Sequence, residues 1–292
     1  MSLETDRTKL TMQLPDGRIL GYAEYGVPLG KPLFYFHGWP SSRLEGHRPA
    51  IDEIAERLHA RIIVADRPGI GLSDYQPYTI ASWPDIVIEL ADQLKLERFA
   101  VMGLSSGGKF VVACAWKIPQ RLTHATVVSG TAPFDLPGVK ATLSKQDNQV
   151  YGLADKAPWL FRLMLWKIAR DVRKNPASVM SLFTAVSEPD QEALARPDVK
   201  QVFGEMVVES FRQGTRGAAL DWKLEARPWG FSLQEVRMPI DVWHGEADRL
   251  LEIEQARLLV KALPNAQTHF VPNEGHTLIV NRYEDILSTI VC

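Results

Sequence analysis

Short apolar runs alternate with stretches of helical periodicity, and this rhythm predicts an α/β protein on a mostly parallel sheet. A break in the rhythm predicts a helical insertion. Leu33–Phe36, Arg61–Ala65, Phe99–Gly103 and Ala125–Val128 are of strand length and largely apolar throughout, as strands covered on both faces are. Helical patterns separate them at Ile51–His59, Trp83–Leu94 and Lys109–Lys117. Pro84 falls in the first turn of its helix, where a missing N–H costs little. Ahead of these lies a hairpin signal, with alternating residues around Lys9–Gln13, the turn Pro15-Asp16-Gly17 and then Arg18–Tyr25.

After Val128 the next strand-like run is Ile240–Trp243, far more chain than a crossover needs. The surplus reads as helices around Pro158–Arg170, Pro176–Val186, Gln191–Leu194 and Val202–Gly214. The alternation then resumes with helix Ile253–Leu263, strand Thr268–Val271 and helix Glu284–Val291. The expected organisation is a core of residues 1–135 and 230–292 with a helical cap, or lid, over 136–229.

The 292 residues are 46% hydrophobic and 23% charged, enough apolar material for a core, which excludes disorder as the main description. Thirty-three Lys+Arg against 35 Asp+Glu leave a formal charge of -2, and phosphate neutralisation needs clustered cations, so no nucleic-acid partner is expected. Cys114 and Cys292 cannot build a disulfide framework and read as free thiols. No run reaches the length of a membrane span, and Met1 to Asp16 carries charge where a secretory signal would be apolar. The expectation is a cytoplasmic protein with a small-molecule substrate and no membrane partner, with monomer and homodimer both open.

Gly103-Leu104-Ser105-Ser106-Gly107 fits G-x-S-x-G between a strand and a helix. Small residues two positions either side let the chain turn sharply and hold the Ser105 hydroxyl out at the strand end. The helix start beyond it offers N–H groups suited to an oxyanion. Gly103 to Lys109 also spells the opening of a phosphate-binding loop, but Phe110 stands where Mg²⁺ needs a hydroxyl. A serine needs a base and a group to orient it. His276 in the turn after Thr268–Val271 and Asp248 in the turn after Ile240–Trp243 supply them, in the chain order serine, acid, histidine. Glu246 is the alternative acid. The developing O⁻ needs donors: the Ser106 N–H, and that of Trp39 in His37-Gly38-Trp39-Pro40, where Pro40 has none and Gly38 allows close approach to substrate. His37 reads as a structural residue of that loop.

These motifs, with Asp66-Arg67-Pro68-Gly69-Ile70-Gly71-Leu72-Ser73-Asp74, His244-Gly245-Glu246-Ala247-Asp248 and Gly275-His276, resemble those of the α/β-hydrolase-fold superfamily, in its serine-nucleophile, esterase-like branch. The resemblance implies the α/β-hydrolase fold, a mostly parallel eight-stranded sheet flanked by helices with a helical cap insertion. It implies Ser105 as nucleophile, His276 as base and Asp248 as orienting acid, and an acyl-enzyme hydrolysed by water without a cofactor or metal. Epoxide hydrolases and haloalkane dehalogenases of this fold carry Asp at the nucleophile position, so Ser105 points to acyl transfer. The expected activity is hydrolysis of a small or medium carboxylic ester. A C–C bond hydrolase or thioesterase with the same residues, and a non-catalytic ligand-binding protein, are the alternatives. Trp159 and Trp166, in the most apolar helix of the insertion, are expected to line the substrate pocket.

Overall fold

The computed structural model describes residues 6–182 and 186–291; Cys292 and part of the expected helix Pro176–Val186 lie outside them. Eight strands form one sheet in the order β1-β2-β4-β3-β5-β6-β7-β8, with β1 Leu10–Gln13, β2 Ile19–Gly26, β3 Lys31–Phe36, β4 Ala60–Ala65, β5 Phe99–Leu104, β6 Leu122–Val128, β7 Ile240–Gly245 and β8 Ala266–Val271. Strand β2 runs antiparallel to β1 and β4, and every later pairing is parallel. The chain therefore has the predicted α/β-hydrolase fold architecture.

The two faces of the sheet are filled by alternate residues of the same strands, as a pleat of period two requires. Phe34 and Phe36 of β3 join one apolar cluster with Val101, Val127 and Val242, beneath α2 Trp83–Gln93, α3 Gly108–Lys117 and α9 Ile253–Ala262. Leu33 and Tyr35 join the other, with Ile62, Val64 and Met102, beneath α1 Pro49–Arg57 and α10 Ile279–Val291. Cys114 lies fully buried on α3 and is a free thiol.

Between β6 and β7 come α4 Lys145–Lys156, α5 Pro158–Lys174, α6 Glu188–Ala195, α7 Pro197–Ser210 and α8 Arg216–Glu225. Residues 176–182 are a 3₁₀ turn, where a full helix was expected. Helices α4 and α8 were not expected. The first is polar and carries Gly152, but it has a sequence signature at its start, Ser144 accepting from the Asp147 N–H. Helices α4, α5, α7 and α8 share their own apolar cluster, including Phe161, Leu165, Met206 and Phe211, which meets the sheet portion at Ile70 and Trp39, and Leu194 of α6 packs in a smaller one with Val186 and Val199. No helix among the described residues is long and apolar enough to cross a membrane.

Candidate active site

Strand β5 ends at Leu104, and Ser105 stands at φ +53, a left-handed conformation that residues with a Cβ seldom adopt. The chain then enters a 3₁₀ turn, Ser105–Gly107, that runs straight into α3. Close approach explains the glycines around it. A Cβ on Gly103 would lie 2.4 Å from the Gly107 carbonyl oxygen, and one on Gly107 would lie 2.1 Å from the Phe36 oxygen. Gly107→Ala is therefore expected to cost about 1–3 kcal/mol of stability, read as a shift in the denaturation midpoint, because the atom it meets is backbone that cannot step aside.

Asp248 and His276 lie in the turns that follow β7 and β8, and the structure joins them. His276 Nδ1 is 2.9 Å from Asp248 Oδ2. A carboxylate only accepts, so Nδ1 carries the proton and Nε2 keeps its lone pair. The other Asp248 oxygen accepts the N–H groups of Leu250 and Leu251 at 2.8 and 2.9 Å. His244 Nε2 donates to the Leu251 carbonyl at 2.8 Å and lies 3.3 Å from Asp248 Oδ2. Burial pushes the Asp248 carboxyl up, but the pull of His276 and the bonds from both histidines outweigh it and hold the group well below the usual carboxylate range. Burial pushes the His276 imidazole down, but the Asp248 charge pushes harder, so it sits above its ordinary value of 6.5. Glu246, the alternative acid, is exposed, and the bond to His276 comes from Asp248.

Ser105 and His276 line two adjoining cavities that share Trp39 and Pro40. One, of about 100 Å³, runs beneath α6 and α7 and has Gly38 in its wall. The other, of about 320 Å³, runs beneath α4, α5 and α8 and includes Ser106. The expected pocket tryptophans are elsewhere. Trp159 and Trp166 are 70% and 54% exposed, and neither lines these cavities. Both faces of α5 are apolar, and the inner one presents Met164, Leu165 and Ile168 instead.

The loop after β3 is fixed through its carbonyl oxygens. Arg67, fully buried, donates to the carbonyls of His37 at 2.6 Å and Gly38 at 2.8 Å, and forms an ion pair of 2.6 Å with Asp221 of α8. The Trp39 indole donates to Ala218 of the same helix at 2.9 Å. A peptide N–H points opposite its carbonyl, so this anchoring turns the N–H groups of Gly38 and Trp39 away from Arg67. Gly38 N–H is taken by half-buried Glu45 at 2.8 Å; among the described residues no acceptor takes that of Trp39. Burial raises the Glu45 carboxyl above its usual range. His37 is fully buried and bonded through Nδ1 to the Gly38 carbonyl, and burial holds its imidazole well below the usual value. It is a structural residue of the loop.

Lys109, which the phosphate-loop reading would aim at a nucleotide, is fully buried. It donates to the Ser106 carbonyl at 2.9 Å and pairs with Glu225 of α8 at 2.5 Å. Ser106 and Thr131 hydroxyls also donate to Glu225. Asp190 of α6 accepts the Thr277 N–H at 2.7 Å, fixing the residue beside His276. The loop Asp66–Asp74 is a structural turn, with the Asp66 carboxylate taking N–H groups from Arg43 at 2.7 Å and Leu72 at 2.9 Å. Asp190, Asp221 and Glu225 had no sequence signal, since each acts across the fold on a residue it is not near in the chain; Glu45 lies close to Gly38 in the chain, but no motif marks it. Among the described residues no cluster of His, Cys, Asp and Glu is arranged to hold a metal.

A serine on a strained turn, a histidine with a free Nε2 and a carboxylate behind it are the parts of a nucleophile-activating site. A sequence profile of the alpha/beta hydrolase fold family matches residues 31–283, and the chain belongs to that family. It is similar to a pimeloyl-[acyl-carrier protein] methyl ester esterase of Aromatoleum aromaticum, 25% identical over 262 residues that cover 87% of this chain and 94% of the relative. It is similar also to a 2-hydroxy-6-oxo-2,4-heptadienoate hydrolase of Pseudomonas putida, 22% identical over 257 residues, 86% of this chain and 84% of the relative. Among solved structures, an esterase from Exiguobacterium antarcticum superposes with a TM-score of 0.71 at 17% identity, covering 97% of this chain and 99% of that one.

Proposed function

We propose that this member of the family, a hydrolase as its fold and relatives indicate, is a serine hydrolase that cleaves a small or medium carboxylic ester. The reading rests on one observation above the rest: His276 is bonded through Nδ1 to Asp248 and shares two cavities with Ser105. In this reading the Ser105 oxygen attacks the ester carbonyl while His276 Nε2 takes its proton. The carbonyl oxygen, now negative, is held by the Trp39 and Ser106 N–H groups, each such donor worth about 3–4 kcal/mol in the transition state. Collapse expels the alcohol, which takes the proton from His276. Water then attacks the acyl group by the same steps in reverse roles, and Ser105 is freed. Helices α4–α8 act as a cap whose inner faces select the substrate. The relative named as a heptadienoate hydrolase favours a second reading, C–C bond cleavage by the same side chains.

The test is hydrolysis of a panel of p-nitrophenyl esters of increasing acyl length, with turnover of at least one expected. If well-folded protein turns over none, the ester reading fails. The pH profile adds a sign. Protonated His276 cannot take a proton, and its imidazole titrates above 6.5 because Asp248 stabilises the cation. The rate should therefore rise with pH through a group titrating above 6.5, and Asp248→Asn should move that limb to lower pH. A profile flat from about pH 5 to 9 would contradict the role of His276 as base.

A further inference from the structure

We propose that the limb of the substrate entering the cavity beneath α6 and α7 ends in a carboxylate, and that Arg48 receives it. The inference rests on the ester-hydrolase reading and names a feature of its substrate. The walls of this cavity are mostly apolar, with Val186, Leu194, Val202, Phe203, Met206 and Ile279 among them. Arg48 also lines it and is only 7% exposed. Its Nε has no hydrogen-bond partner, and among the described residues no carboxylate lies within ion-pair distance of its guanidinium. The nearby acids are already engaged: Glu45 takes the Gly38 N–H, and Asp198 lies 3.6 Å from Arg196. The buried hydroxyl of Tyr283, on the same cavity, also lacks a partner.

An arginine keeps its charge in proteins, and a buried charge without a counter-charge is costly. Filling this cavity with a neutral chain would strip water from the guanidinium and give nothing in return. A carboxylate at the end of the chain offers acceptors to the guanidinium and to the Tyr283 hydroxyl together. The apolar walls suit the methylenes between that carboxylate and the ester. The Arg48 cavity also has one carboxylate in its wall, Glu45, which is engaged by the Gly38 N–H; the other cavity presents two, Asp147 and Glu225, and no Lys or Arg lines it.

The test compares mono-p-nitrophenyl esters of glutaric, adipic and suberic acids with neutral p-nitrophenyl alkanoates of matched length. A second arm compares ω-carboxyalkyl acetates with alkyl acetates, so that the charge is placed on either limb. In wild-type protein at least one carboxylate ester should exceed its neutral counterpart in kcat/KM by about tenfold or more. Arg48→Met should bring that ratio down towards one, and Arg48→Lys should retain part of it. Neutral esters preferred at every length on both limbs, or a ratio unchanged in Arg48→Met, would overturn the proposal. If no ester is cleaved, the ester reading falls by itself. The Arg48 site is then judged by calorimetric titration with adipate and suberate: binding lost in Arg48→Met supports it, and no binding to the folded wild type overturns it.

Discussion

Replacing Ser105 or His276 by alanine is expected, on the proposed ester-hydrolase reading, to lower kcat on a p-nitrophenyl ester by about 10⁴- to 10⁶-fold, with the double variant scarcely slower than either single one. The non-additivity is the informative part. The serine is a weak nucleophile without the histidine, and the histidine has nothing to deprotonate without the serine, so removing either removes both functions. Ser105→Ala is also expected to keep or raise stability, since it leaves the backbone at φ +53 while shedding a polar group from a site shaped for reaction. Kinetics and denaturation measured on the same preparations check both statements. An equal loss of kcat and of folded protein would mean that the turn, and not the hydroxyl, is what matters.

Asp221→Ala should have the largest effect on stability, about 3–5 kcal/mol, because it leaves the fully buried Arg67 guanidinium without its counter-charge. Burial pushes the Asp221 carboxyl up, but the charge of Arg67 pulls it below the usual range, so the native state strongly favours the ionised form. The pair should therefore stabilise the fold at neutral pH, and that contribution is lost as pH falls through the depressed value. The double change Arg67→Met with Asp221→Leu should recover much of the stability, since an apolar pair can replace a buried ion pair. It should not recover the rate. The carbonyl groups of His37 and Gly38 would have lost the Arg67 donors that fix the orientation of the Gly38 and Trp39 peptide groups, on which the proposed oxyanion role of Trp39 depends. Urea midpoints and kcat, measured on the single and double variants, separate the two effects.

The centre of the sheet was legible because strands such as β4, β5 and β7 are buried on both faces, and such strands read as largely apolar runs. Leu33–Phe36 became β3 and Phe99–Gly103 became β5 within a residue or two. The positions of Ser105, Asp248 and His276 followed from the sheet, since turns after parallel strands gather at one edge. Helix α5 shows where this kind of reading stops. Phe161 and Leu165 face the cluster of the insertion, while Trp159 and Trp166 face outward, and periodicity marks both stripes without saying which is covered. Helix α8 was missed because it is short and carries charge at Asp221 and Glu225. Those two residues hold Arg67 and Lys109 from more than a hundred positions away. A charge in a sequence reads as a solvated one until the fold buries it beside its partner.

The most direct measurement is labelling with a fluorophosphonate probe followed by mass spectrometry of the digested protein. A serine activated by His276 should carry the adduct on the peptide containing Ser105, with labelling lost in Ser105→Ala and greatly slowed in His276→Ala. Folded protein that takes up no probe, or that carries it on another residue, would contradict the assignment of Ser105 as the nucleophile.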